Sequence, residues 1–318
     1  MNALLSKSDA DIIADFVTDC RLRDMTEKSI QSYLSCIKIF TEFMKRRRVN
    51  LAQVSREELK LFLHYLRTER GVKQKTVKEY FSALSALWGF MVDEGMLQNN
   101  IVLPFRRRYL KQYKAEYEDE RRKLLTVEEM SLLVNSILDP RDKAIAVLFA
   151  KTGIRRSELQ AIDLNDIDWS ELSITLKPTK KRSNRVVFFD DECAFVLKRW
   201  ISVRNEISPR TDGLFISYQT LERLDRNGIY SAITKYATRL GLHDPSSRRL
   251  EDHFGPHCFR HWFTTWLLRR GMRREYVKEL RGDRRREAID IYDHLDMDEV
   301  RREYLSCIPK LGLYLLRS

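Results

Sequence analysis

The sequence predicts a mainly α-helical chain of two domains, an all-helical N-terminal bundle and a mixed α/β C-terminal domain with a small antiparallel sheet. Three observations predict it. Apolar residues recur at helical spacing through the first hundred residues. Two β-rich runs, LSITL at 172–176 and RVVFF at 185–189, flank a polar stretch. The length, 318 residues, suits about two domains of roughly 100–200 residues each.

Each element has its own warrant. Ile12, Ile13, Phe16 and Val17 form a short apolar face, and Ile30, Tyr33, Leu34, Ile37, Phe40 and Met44 form a longer one. Ser55 and Glu58 read as a capping box opening a helix that turns Leu59, Phe62, Leu63 and Leu66 inward. Val77, Tyr80, Phe81, Leu84, Leu87, Trp88 and Met91 make a fourth stripe, with Gly95 as its C-cap. These stripes read as core, and residues 1–105 as the helical domain. Residues 106–124 carry charge and tyrosine without an apolar period, which predicts a linker, helical in part because it holds no proline or glycine. The second domain, 125–318, opens with a Thr126–Glu129 capping box. Helices are expected over 127–137 and 140–151, a hairpin over 172–189, and a third strand at GLFIS, 213–217. Helical spacing resumes at 228–240, 257–270, 273–280 and 298–305.

Bulk properties narrow the function classes. Lys and Arg outnumber Asp and Glu by 58 to 46, a net charge of +12. A polyanion, an anionic membrane surface and simple solubility all fit that excess. No run of eighteen apolar residues predicts a membrane span, and the first residues lack the pattern of a signal peptide. Five scattered cysteines without a CxxC pair point to a reducing, cytoplasmic setting and to no zinc site. His253, His257 and His261 share i, i+4 spacing, but Pro256 breaks any helix joining the first to the others, and no carboxylate or thiolate completes a metal set.

The chemistry-bearing segments are TGIRRSEL at 152–159, HCFRHWFTTWLL at 257–268, Arg281-Gly282-Asp283, and IDIYDH at 289–294. Arg155 follows Gly153 at a helix boundary, with Glu158 three residues on to orient its guanidinium. His257 and Arg260 sit three apart on one helix face. Arginine's planar fork matches two phosphate oxygens and stays charged. Metal-free cleavage of a phosphodiester needs such cations around phosphorus, a nucleophile, and an acid for the leaving oxygen.

Taken together, these segments resemble the tyrosine recombinase (phage integrase, Xer-like) family, in layout over the whole chain and most sharply over 125–305. Thr152 to Leu159 match its T-G-L/I-R-x-S-E-L box, and His257 to His261 its H-x-x-R-H box. Arg281-Gly282-Asp283 stand where the family has L-G-H, and Tyr292 lies nine residues after that triplet's last position. The resemblance implies a SAM-like core-binding domain followed by a catalytic domain that forms a 3′-phosphotyrosine. Arg155, His257 and Arg260 would hold the phosphate, Tyr292 would attack, and a turn lysine would protonate the 5′ oxygen. Lys180 fits that lysine best, with Lys181 as the alternative; Lys177 lies too early. Asp283 departs from the family's histidine or tryptophan and cannot donate to phosphate unless protonated. It is expected to buttress an arginine or Tyr292. Tyr276 and Tyr304 are rivals for the nucleophile that lack the I-Y-x-H context. Cys258 is expected to pack in the core, and His261 and His294 to serve as structural hydrogen-bonders.

The resemblance also implies duplex DNA as partner, a four-protomer synapse, and neither cofactor nor metal. Lys73, Lys75 and Lys78 crowd a helix start where phosphate is favoured, and Arg106, Arg107 and Arg108 form a second basic run. Further runs are Lys45 to Arg48 and Arg284 to Arg286. The expected activity is site-specific recombination, for integration or excision of a mobile element or for dimer resolution. The alternatives are a type IB topoisomerase-like or telomere-resolving strand transferase, and a DNA-binding regulator with a decayed site. The apolar tail 307–316 has two readings, docking on a neighbouring subunit or packing on its own domain.

Overall fold

The computed structural model describes residues 7–110, 123–178, 185–247, 249–283 and 295–313. The chain divides into two compact units, Met1–Ala115 and Glu116–Ser318.

The first unit is helical throughout its described residues: α1 (Asp9–Leu22), α2 (Glu27–Arg46), α3 (Arg56–Thr68), α4 (Gln74–Asp93) and α5 (Val102–Tyr109). Side-chain caps start three of them. Ser8 with Asp11 and Ser55 with Glu58 form reciprocal boxes, and Thr26 accepts from the Ser29 N–H. Helix α4 runs through the middle, so Val77, Phe81, Leu84, Leu87, Trp88 and Met91 are all buried. Phe40 meets Phe62 and Trp88 edge-on, with centroids at 4.9 and 5.7 Å. Helix α5 stacks Phe105 on Phe81 at 5.2 Å. The expected linker therefore begins inside a helix. Arg106, Arg107 and Arg108 occupy the last turn of α5, where cations complement the exposed carbonyls, and Leu110 is buried behind them.

The second unit comprises α6 (Val127–Ser136), α7 (Pro140–Thr152), α8 (Arg156–Ala161), β1 (Ile167–Asp168), β2 (Ser173–Leu176), β3 (Arg185–Phe188), α9 (Asp191–Glu206), α10 (Arg226–Arg239), α11 (Pro256–Arg269), α12 (Arg274–Arg281) and α13 (Met297–Cys307). Helix α7 is its axis: every residue from Ala144 to Thr152 is buried, with α9, α10 and α11 packed around it. The expected hairpin is present, with Ser173 opposite Phe188 and Leu176 opposite Arg185.

Two expectations change, and one left open narrows. The third strand is β1, paired with β2 through Ile167–Ile174 and Asp168–Ser173, in the order β1-β2-β3. Residues 213–217 make only isolated bridges, Asp163–Gly213 and Ile216–Arg223, although Leu214, Phe215 and Ile216 are core. Helix α9 was not anticipated. Cys193, Val196, Leu197 and Trp200 carry its buried face, but Arg204 occupies the next inward position and interrupts the apolar pattern. That arginine is satisfied by the Gly213 carbonyl, Nε to O 3.0 Å. For the tail, the described part, to Leu313, follows the second of its two readings and packs on its own domain. Ile308, Leu311 and Leu313 are buried, and the N–H groups of Leu311, Gly312 and Leu313 donate to the Glu192 carboxylate at 2.8, 2.8 and 3.2 Å.

Candidate active site

The loop between α7 and α8 places the first arginine. Gly153 ends α7 with φ +60°, and a Cβ there would lie 2.4 Å from the Phe263 ring, so only glycine fits both the backbone and the packing. Two residues on, Arg155 caps α8. Its N–H donates to Glu158 Oε2 at 2.7 Å, and its Nη1 donates to Oε1 of the same carboxylate at 3.0 Å. Glu158 also holds Arg185 at the start of β3, at 2.8 Å. Burial would raise the Glu158 carboxyl, but the Arg185 charge, the Arg155 N–H and the Arg155 charge outweigh it and hold it below its ordinary value.

The second arginine comes from α11, which begins with Pro256 in its first turn. Arg260 is buried, and its Nη1 donates to the Gly153 carbonyl at 2.8 Å. Its Nη2 donates to the Arg281 carbonyl at 2.7 Å and to Asp283 Oδ1 at 3.2 Å. Arg155 Nη1 reaches that same Arg281 carbonyl at 3.3 Å. The end of α12, closed by Gly282 in the left-handed conformation, thus binds both guanidiniums. Burial, together with the Arg155 and Arg281 charges, pushes the Arg260 guanidinium down to about 9, against the opposing pull of Asp283. The group remains a cation at neutral pH.

Asp283 faces this cluster. Its carboxylate lies 3.2 Å from Arg260, 3.8 Å from Arg155 and 3.2 Å from Arg281. His257, in the first turn of α11, is exposed and lines the same cleft as Arg155 and Arg260. Its ring meets that of His261 edge-on at 5.8 Å. Arg155, Glu158, His257, Arg260 and Asp283 are therefore assembled within one site. Lys180, Lys181, Tyr292, Arg284 to Arg286 and His294 lie outside the described residues.

The rival tyrosines are otherwise engaged. Tyr304 is fully buried and donates to the Lys151 carbonyl at 2.7 Å, and the Tyr276 hydroxyl bonds Glu299 at 2.7 Å. Lys177 pairs with Asp163 and, at 3.5 Å, with Asp166. Cys258 is buried in the core. Among the described residues, no group of three or more His, Cys, Asp or Glu side chains is placed to hold a metal ion, and no helix is long and apolar enough to cross a membrane. In the first unit, Lys73 caps α4, with Lys75 and Lys78 in its first turns. Sequence reasoning passed over Arg185 and Arg281 as members of the cluster. Their signal is tertiary, because Glu158 reaches Arg185 from a distant element and the Arg281 carbonyl receives Arg155 and Arg260 from two others.

The phage integrase family profile matches residues 117–299, and that of the N-terminal SAM-like domain of phage integrases matches 12–94. The tyrosine recombinase XerC of Anoxybacillus flavithermus is 29% identical over 300 residues, spanning 91% of this chain and 94% of its own. XerC of Haemophilus influenzae is 29% identical over 252 residues, spanning 76% and 78%. In fold, the chain resembles the lambda integrase tetramer bound to a Holliday junction, with a TM-score of 0.70 at 17% identity, covering 93% of this chain and 82% of that one. Because the family profile spans more than half of it, the chain belongs to the phage integrase family: it is a site-specific tyrosine recombinase, an enzyme that cleaves and rejoins DNA.

Proposed function

We propose that Arg155, Arg260 and His257 seat the scissile phosphate of duplex DNA and that Tyr292 attacks it, giving a 3′-phosphotyrosine. The observation that carries this reading is the pair of half-buried Arg155 and buried Arg260, side by side on one carbonyl, that of Arg281; with Arg185 and Arg281 the described arginines of the cluster outnumber its described carboxylates, Glu158 and Asp283. Two guanidiniums so fixed stabilise charge that develops on the phosphorane oxygens. Lys180, from the β2–β3 connection, protonates the departing 5′ oxygen. His257 moves the tyrosine proton. Asp283 positions the arginines and donates nothing to phosphate. Reversal of the attack by the 5′ hydroxyl of a partner strand rejoins DNA without external energy.

Lys73, Lys75, Lys78, Arg106, Arg107 and Arg108 add backbone contacts from the helical domain. The active assembly is a homotetramer on DNA, as in the lambda integrase structure, and it works inside the cell where the DNA is. The reaction moves or resolves an element by strand transfer between two duplexes.

The test uses a nicked duplex recovered by the purified full chain from a random-sequence pool. Wild type forms a covalent adduct stable to denaturation, and Tyr292→Phe forms none. An adduct persisting in Tyr292→Phe sinks the assignment of the nucleophile, and no adduct in wild type supports the decayed regulator. Relaxation of supercoils without transfer between duplexes supports the topoisomerase reading instead.

A further inference from the structure

The cleft holding Arg155, His257 and Arg260 does not end there. It encloses about 440 Å³ and continues to a second basic end, lined by Arg156, Arg226 and Tyr230. Consecutive residues feed the two ends. Arg155 caps α8 and turns to Arg260, whereas Arg156, the first residue of the helix, turns to α10. There Arg156 Nη1 donates to the Arg226 carbonyl at 3.3 Å, and its guanidinium lies 5.9 Å from the centre of the Tyr230 ring.

This end sets two guanidiniums against one nearby described carboxylate, Asp225, which caps α10 by accepting from the Gly228 N–H at 2.6 Å and whose charge pulls on Arg156. Among the described residues, the buried Nε of Arg226 has no hydrogen-bond partner. Burial lowers the Arg156 guanidinium, and the Arg226 charge lowers it further. Two half-buried guanidiniums side by side disfavour one another unless an anion joins them. Tyr230 ties the two ends together, since its ring packs against Gly255, where a Cβ would come within 3.2 Å, two residues before His257.

We propose that Arg156 and Arg226 form a second phosphate seat, which takes a phosphodiester neighbouring the scissile one on the cleaved strand. A cleft with two basic ends suits a polymer anion. Successive nucleotides rise only about 3.4 Å along each strand, so one strand crossing the cleft presents phosphates to both ends at once. The second seat fixes register: it selects which phosphodiester lies over Arg155 and Arg260. The inference rests on the scissile-phosphate reading of those two arginines and adds the neighbouring contact to it.

The experiment is a scan by neutral linkages. Single methylphosphonates replace, one position at a time, the phosphates flanking the cleavage point in the nicked duplex selected by the full chain. Binding and adduct formation are read separately for wild type and for Arg156→Gln/Arg226→Gln, with circular dichroism verifying that the variant is folded. At one flanking position the neutral linkage weakens wild-type binding about tenfold, the scale of a lost charge-assisted hydrogen bond. At that position it costs the variant less than twofold. The variant also cuts at adjacent phosphates where wild type cuts at one. If the penalties multiply at every position, or if the variant binds as tightly as wild type, the second seat does not exist. Failure of wild type to form adduct, with the binding pattern intact, overturns the catalytic reading and leaves the seat standing.

Discussion

Two clusters of charge, one buried and one half-buried, lie at the two sides of the end of α7, and they are built on opposite plans. On one side Lys151 is fully buried, with Nζ bonded to Asp190 at 2.7 Å, Glu192 at 2.6 Å and the Pro309 carbonyl at 2.7 Å. Asp190 also caps α9 and receives Lys310, while Glu192 takes three N–H groups of the tail. Two cations meet two carboxylates, and the hydrogen bonds interlock. Four residues further along the chain, Arg155 opens a cluster in which, among the described residues, four arginines, 155, 185, 260 and 281, share Glu158 and Asp283. The first cluster is balanced and holds the C-terminal segment to the core. The second keeps a positive excess, which is a cost to the free protein and an attraction for an anion. Burial and hydrogen bonding alone therefore do not separate the two clusters. The charge balance does.

Breaking the balanced cluster should have the largest effect on stability. Lys151→Met leaves Asp190 and Glu192 buried against one half-exposed lysine, and should remove about 3–5 kcal/mol of unfolding free energy. Urea denaturation measures it, and a loss below about 1 kcal/mol would contradict the structural role. Arg155→Met tests the other plan. Glu158 keeps Arg185 as partner, so stability should change by less than about 1 kcal/mol. Single-turnover cleavage should fall about 10²–10³-fold, the scale of losing one preorganised donor to a transition-state oxyanion. A large loss of stability with little loss of cleavage would reverse the assignment of the two clusters.

The balanced cluster was the less legible of the two. Lys151, Asp190, Glu192 and Pro309 come from α7, the start of α9 and the tail, and nothing in their local sequence announces a meeting. What was legible depends on short range. The Ser55–Glu58 and Thr126–Glu129 boxes, the β2–β3 hairpin and Gly153 followed by Arg155 are local patterns with local causes. Helix α9 escaped because an inward arginine, Arg204, sits where the period asks for an apolar residue. Residues 213–217 read as a strand because they are apolar and β-rich, yet their partners are loop carbonyls and the Trp200 indole, whose Nε1 donates to Leu214. In the candidate site, the boxes pointed to Arg155, His257 and Arg260 separately. Their common anchor, the Arg281 carbonyl, follows only from the fold.

Asp283 sits at the border of the comparison, since it is the acid that reduces the excess around Arg155 and Arg260. Asp283→Asn removes that charge while keeping the shape. The arginine pair then attracts phosphate more strongly, and binding of the selected duplex at low salt should tighten about three- to tenfold, consistent with roughly 1 kcal/mol from one partly exposed charge. Thermal stability should drop slightly, because Arg260 loses its nearest carboxylate. Unchanged or weaker DNA binding would mean that Asp283 does not oppose the anion.

The smallest effect distinguishes the clusters by pH. Burial alone would raise the Glu192 carboxyl, but the Lys151 charge and hydrogen bond, with the N–H groups of Leu311 and Leu313, hold it below its ordinary value of 4.5. A carboxylate depressed in the folded state contributes stability that is fully present above its unfolded pKa. That stability is lost as pH falls through the lower folded value. Unfolding free energy should therefore be insensitive to Glu192 between about pH 7 and 5 and fall below about 4.5, by at most about 1.4 kcal/mol per pH unit for one proton. Glu192→Gln, which cannot ionise, should flatten this acid limb, while Arg155→Met should leave most of it, because Arg185 still depresses Glu158. Urea titrations at pH 3.5, 4.5 and 7 read the difference. An acid limb equally steep in Glu192→Gln and wild type would place the acid sensitivity elsewhere and remove the tail clamp from the account of stability.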